Sequence, residues 1–209
     1  MSRFAAREII SLFPTLLFGT AVSDGLPALA AAARARLTGS GPRRRTPPDL
    51  HRDAAFARLV SQLVAAARQA LDELGYLKAL RPQVSALWAT AAPASEAEPL
   101  LSTGNAFFGG LLVAEAPGQQ VLRTADPRPQ AQVLQPAVSE LNALNATEVL
   151  LPLPTGQALF FPGWLAQGLA SAPQRGERLV LRFGLLFEDF VAAVGPPNWD
   201  HPHGKRMQP

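Results

Sequence analysis

The chain contains no cysteine and only three histidines in 209 residues. The first absence excludes disulfides and thiolate metal sites, and agrees with a cytoplasmic protein. The second restricts imidazole chemistry to His51, His201 and His203. No stretch reaches about 18 uninterrupted apolar residues, so no membrane-spanning helix is expected. Met1-Ser2-Arg3 does not lead into a secretory leader, because Arg7 and Glu8 interrupt the apolar residues that follow. Charge of one sign is also scarce: 19 Lys and Arg stand against 16 Asp and Glu, a net charge of +3. That small excess gives no reason to expect a nucleic-acid partner. What remains is a chain of ordinary apolar content, rich in alanine, proline and arginine, and long enough to close a core.

The clearest pattern is Leu159-Phe160-Phe161-Pro162-Gly163-Trp164-Leu165, followed by Arg178-Leu179-Val180-Leu181-Arg182-Phe183. Pro162-Gly163 ends an apolar strand, since proline supplies no N–H and glycine tolerates positive φ. From Arg178 the residues alternate, which sends Leu179, Leu181 and Phe183 to one face of a strand and Arg178, Val180 and Arg182 to the other. This last strand is expected over Arg178–Phe187. Upstream, Glu8–Val22 reads as an edge strand or a bent one, because Pro14 lies within it. Asp24-Gly25-Leu26-Pro27 starts an alanine-rich helix that ends near Leu37. Thr38–Pro48 reads as a loop. Asp49–Tyr76 reads as a long amphipathic helix, with Leu59, Leu63, Ala66, Ala70, Leu71 and Leu74 on one face and Gly75 as its stop. Gln83–Ala92 reads as a strand with Val84, Ala86 and Trp88 on one side, and Gln119–Thr124 as another.

Together these landmarks resemble the 2-oxoglutarate/Fe(II)-dependent oxygenases, in a bacterial branch of the double-stranded β-helix dioxygenases. Phe161-Pro162-Gly163-Trp164-Leu165-Ala166-Gln167 is similar to the family's FPSWL-x-H, and Arg178–Phe183 follows after ten residues, as in the family. Ile9–Thr15, Pro47–Asp53, Leu87-Trp88-Ala89, Phe108–Val113 and Asp126-Pro127-Arg128 resemble its other landmarks in the same order. The resemblance implies a jelly-roll barrel, mainly β with a backing of N-terminal helices. One domain is expected over 1–192, with the helical layer at about 24–76, the barrel at about 83–190, and a flexible tail over 193–209.

The resemblance also implies where an iron site would stand, and there the sequence departs from the family. The distal histidine position is Gln167. The other two ligand positions fall on Leu101 and Thr103, and Glu96 and Glu98 are the nearest carboxylates. Fe(II) in such enzymes needs two imidazoles and a carboxylate, or a near variant. Neither metal nor catalytic residues are therefore expected, and no cofactor; an active hydroxylase with non-standard or partner-supplied ligands would instead use 2-oxoglutarate and Fe(II). Arg178 stands eleven residues after Gln167, where the family holds the 2-oxoglutarate carboxylate. It is a candidate carboxylate site, or else an arginine kept by an internal salt bridge with Asp126 or Glu177. Trp88, Leu112, Asp126 and Trp164 are candidates to line the pocket, with aliphatic Leu112-Val113 in place of the family's paired tyrosines. Asp126-Pro127-Arg128 also reads as a turn.

His51 is expected at a helix start or surface, and Arg43-Arg44-Arg45 in a solvated loop rather than at a phosphate. His201 and His203 have ligand-like spacing in the tail. Three readings follow: a pseudoenzyme acting as a binding or partner subunit, of an active oxygenase paralogue or a homodimer; a working hydroxylase; and a metal-free carboxylate binder.

Overall fold

The computed structural model describes residues 14–22, 24–128, 137–142 and 145–188. Among the described residues nine strands form two antiparallel sheets. β1 (Phe18–Ala21), β7 (Gln157–Pro162), β4 (Phe108–Glu115), β9 (Glu177–Phe187), β3 (Pro82–Pro93) and β2 (Arg44–Arg45) form the larger sheet, in that spatial order. β6 (Glu148–Leu153), β5 (Gln120–Ala125) and β8 (Gln167–Leu169) form the smaller one. Helices α1 (Leu26–Ala35) and α2 (Ala57–Glu73) cover the outer face of the larger sheet.

The two cores follow directly from alternation along the strands. Leu179, Leu181, Phe183 and Leu185 of β9 join Leu29, Ala33, Leu59, Leu63 and Leu71 of the helices in one apolar cluster. Val180 lies on the opposite face with Leu111 and Val113 of β4, Phe161 of β7, and Leu122 and Leu169 of the smaller sheet. The expected facing of the last strand is therefore correct, and the second cluster fills the space between the sheets. Among the described residues no helix is long and apolar enough to cross a membrane.

Several expectations are corrected in detail. The segment beginning at Asp49 is not helical throughout: it opens with 3-10 turns at Leu50–Arg52 and Ala54–Phe56, and the Asp53 side chain accepts from Ala55 N at 3.0 Å. Ala67 of α2 is fully buried, whereas Leu74 lies past the helix end and is exposed. Gly75 has φ +76°, the left-handed value of a helix stop. The Thr38–Pro48 loop contains β2, with Thr38 bridged to Arg45. In β3, Ser85 is an extra residue between the Val84–Leu185 and Ala86–Gly184 pairs. This bulge reverses the facing, so Val84 joins the helix-side core and Ala86 and Trp88 do not share its side. Of the strand expected over Glu8–Val22, only Phe18–Ala21 is strand among the described residues, and residues 14–17 are not; residues 8–13 lie outside the described residues, as do the tail, His201 and His203.

Candidate functional site

Of the positions that the resemblance assigned to an iron site, Leu101 and Gln167 pair with each other and Thr103 lies against Gly109 of β4. After β3 the chain crosses the end of the larger sheet and runs beside β8. Residues 94–101 form this strap. Ala94 N donates to Gly176 O at 2.8 Å, Glu98 N to Leu169 O at 2.8 Å, and Leu101 and Gln167 exchange backbone hydrogen bonds of 3.0 and 3.1 Å. Gly168 permits the approach: a Cβ there would lie 2.6 Å from Pro99 O. Leu101 thus stands directly opposite Gln167, but it is 62% exposed and its side chain brings no donor atom. Thr103 lies further on, its side chain against Gly109, where a Cβ would come within 2.5 Å of its hydroxyl.

Gln167 is 4% exposed and its amide is engaged at both ends. Oε1 accepts from Arg182 Nη1 at 3.1 Å, and Nε2 donates to Leu101 O at 3.3 Å. A hydrocarbon, a hydroxyl and an engaged neutral amide do not fit the donor set of Fe(II). Among the described residues no group of three or more His, Asp or Glu side chains is arranged to hold a metal.

Arg178 is 1% exposed, the most enclosed charge among the described residues. Its Nη1 donates to Ala94 O at 3.2 Å, Ala170 O at 3.1 Å and Gln120 Oε1 at 3.3 Å; Nη2 donates to Glu96 O at 2.7 Å. Nε is buried with no hydrogen-bond partner among the described residues. The ionic partner is Glu98, whose Oε1 lies 3.4 Å from Arg178 Nη2. The expected salt bridge exists, but not with Asp126 or Glu177. Asp126 pairs with Arg128, accepts from its backbone N–H at 2.9 Å and shapes a turn. Glu177 pairs with Arg34 and Arg44 at 2.5 Å each. Burial pulls the Arg178 guanidinium below its ordinary pKa; the Glu98 charge opposes that shift and the Arg182 charge adds to it.

From the sequence, Glu98 is only a carboxylate near the ligand positions and Arg182 only shares a strand face with Arg178; the structure adds both to the site. Arg182 lies four residues past Arg178 on the same strand face, a signal present in the alternation. Its Nη2 bonds Glu98 Oε2, which also accepts from Leu169 N at 3.2 Å. Only the strap's path, which no periodicity encodes, reveals that Glu98 reaches both arginines.

Of the other candidates, Trp88 pairs across the strands with Arg182. Leu112 does not line the interior: it is buried on the helix side, and the aliphatic lining comes from Leu111 and Val113. Trp164, 57% exposed, lines a cavity of about 450 Å³ with Ser102, Thr103, Phe107, Gly163 and Phe187. His51 lies in the helical layer, its imidazole held below the ordinary pKa chiefly by burial. In the arginine run, Arg43 pairs with Glu96 at 2.7 Å and Arg44 with Glu177, so two of its three members are tied to the fold.

No protein-family model matches the sequence, and no curated protein matches it. Solved structures do. HygX from Streptomyces hygroscopicus, with nickel and 2-oxoglutarate bound, superposes at a TM-score of 0.55 with 14% identity over 82% of each chain. The non-heme α-ketoglutarate-dependent epimerase SnoN from nogalamycin biosynthesis gives 0.54 and 11%, over 81% of this chain and 77% of that one. A Pseudomonas putida prolyl-4-hydroxylase gives 0.52 and 15%, over 80% and 91%. The likeness is one of fold, and it agrees with the landmarks of the sequence: this chain has the double-stranded β-helix fold of 2-oxoglutarate/Fe(II)-dependent oxygenases.

Proposed function

We propose that this domain is an oxygenase-type double-stranded β-helix that serves as a binding or partner subunit and is not itself an iron oxygenase. The observation that carries this reading is the commitment of Gln167. At the position of the family's distal ligand stands an amide whose oxygen already accepts from Arg182, opposite a leucine with no donor. The interior arginines support it as well: Nη1 and Nη2 of both are spent on strap carbonyls, the Ala170 carbonyl, Gln120, Gln167 and Glu98. The partner is an active oxygenase paralogue or a second copy of this chain.

The test is anaerobic calorimetry of the wild-type protein with Fe(II), with and without 2-oxoglutarate, alongside an aerobic assay for succinate. The expected result is iron binding no tighter than that of a surface site, and no succinate. Stoichiometric iron uptake that depends on 2-oxoglutarate would overturn the proposal and favour a hydroxylase whose ligands come from elsewhere, such as His201, His203 or a partner. The partner itself is sought by size-exclusion chromatography and by pull-down from the native host.

A further inference from the structure

We infer that Glu98 is the chain's own ligand for a carboxylate site built by Arg178 and Arg182. The two guanidinium groups project from the same face of β9, four residues apart, into the space between the sheets. One carboxylate lies between them. Glu98 Oε1 faces Arg178 Nη2 at 3.4 Å, while Oε2 bonds Arg182 Nη2 and the Leu169 backbone N–H. Each oxygen is thus held by a different cation, with a backbone donor added, which is how a free carboxylate would be held.

The other hydrogen-bond partners of these two guanidinium groups are neutral. β5 supplies Gln120, β8 supplies Gln167, and the strap supplies the carbonyls of Ala94 and Glu96. The Glu96 carboxylate turns outward to Arg43. Glu98 is therefore the acid, among the described residues, that pairs with either guanidinium. One buried cation, Arg178, and one partly buried cation, Arg182, share one anion, and removing it leaves both without an ionic partner, which is unfavourable away from bulk water. A Glu98→Ala substitution also opens a space the size of a carboxylate, lined by two arginines and an N–H. A small monocarboxylate from solution fits that space and restores the charge. In the wild-type protein the same space is filled, so free carboxylates gain nothing by entering. The inference rests on the arginine geometry and does not depend on the partner-subunit reading.

The experiment compares thermal melts of the wild type, Glu98→Ala, Glu98→Gln and the double variant Glu98→Ala/Arg182→Met in sodium acetate and in sodium chloride of equal ionic strength. In chloride, Glu98→Ala melts below the wild type. Acetate raises its melting temperature by several degrees in a saturable, concentration-dependent way, as expected for a ligand of the folded state. Acetate leaves the wild type and Glu98→Gln at their chloride values, because the side chain fills the space. It leaves the double variant unchanged too, because one cation is gone. Should Glu98→Ala fail to fold in chloride, acetate in the refolding buffer restores a cooperative transition. A Glu98→Ala protein that acetate does not stabilise, folded or not, overturns the inference. So does a wild-type protein that acetate stabilises equally.

Discussion

At the scale of single residues, the larger sheet depends on side chains that have no room to grow. Gly110 of β4 faces the helix-side core, and a Cβ there would meet Phe183 Cζ at 2.1 Å and Leu159 O at 2.7 Å. The second neighbour is backbone and does not rotate aside. Gly110→Ala is therefore expected to lower stability by roughly 1–3 kcal/mol, although alanine is the better strand residue, with denaturant unfolding as the measure. Leu179→Asp is expected to be more severe, at several kcal/mol, since it buries an unpaired charge beside Leu181 and the helices. Arg43→Ala breaks only an exposed pair with Glu96 and should stay within about 0.5 kcal/mol of wild type. Equal melting temperatures for Leu179→Asp and Arg43→Ala would show the facing to be wrong. That facing was legible because strand alternation has an exact period of two. The role of Gly110 was not: two adjacent glycines read only as a weak strand, and their reason lies in Phe183, seventy-three residues away.

Elements are held together by charge as well as by burial. Arg34 of α1 bonds Glu115 at the end of β4 and Glu177 at the start of β9, and Arg44 of β2 also bonds Glu177. Burial acts to raise the Glu177 carboxyl, but the hydrogen bonds from Arg34 and Arg44 outweigh it and hold the group below its ordinary pKa. A carboxyl depressed in the folded state binds fewer protons there than when unfolded. Its contribution is therefore complete above the unfolded pKa, about 4.3, and is lost as pH falls through the lower folded value. The wild type should melt above Glu177→Gln at about pH 7, and the gap should close as the medium is acidified below about pH 4. A gap that is constant with pH would mean that the clamp acts through packing and not through charge. The helices and most strands were readable from periodicity, glycine and proline. The Ser85 bulge, the opening 3-10 turns and the strap were not, because each is fixed by tertiary contacts: Ser85 Oγ donates to Gly184 O, and the strap follows the free edge of β8.

For the whole molecule, the decisive feature is that β9 serves both cores. Leu179, Leu181 and Phe183 pack on the helices while Val180, on the same strand, packs between the sheets with Leu122 of β5. Neither layer can open without exposing the other face of β9. Helices and sheets should therefore melt together in one cooperative transition, followed identically by far-ultraviolet circular dichroism and by tryptophan fluorescence. Truncations on opposite sides of the larger sheet probe this. Leu63 of α2 and Leu122 of β5 are both fully buried, one in each cluster. Leu63→Ala and Leu122→Ala should each cost about 2–5 kcal/mol and shift the same single transition. With no atoms shared between the two sites, the double variant should lose close to the sum of the two. If Leu63→Ala instead splits off an early helical transition while the sheet signal stays at its wild-type midpoint, the helical layer is a separate cooperative unit, and the view of β9 as the common wall fails.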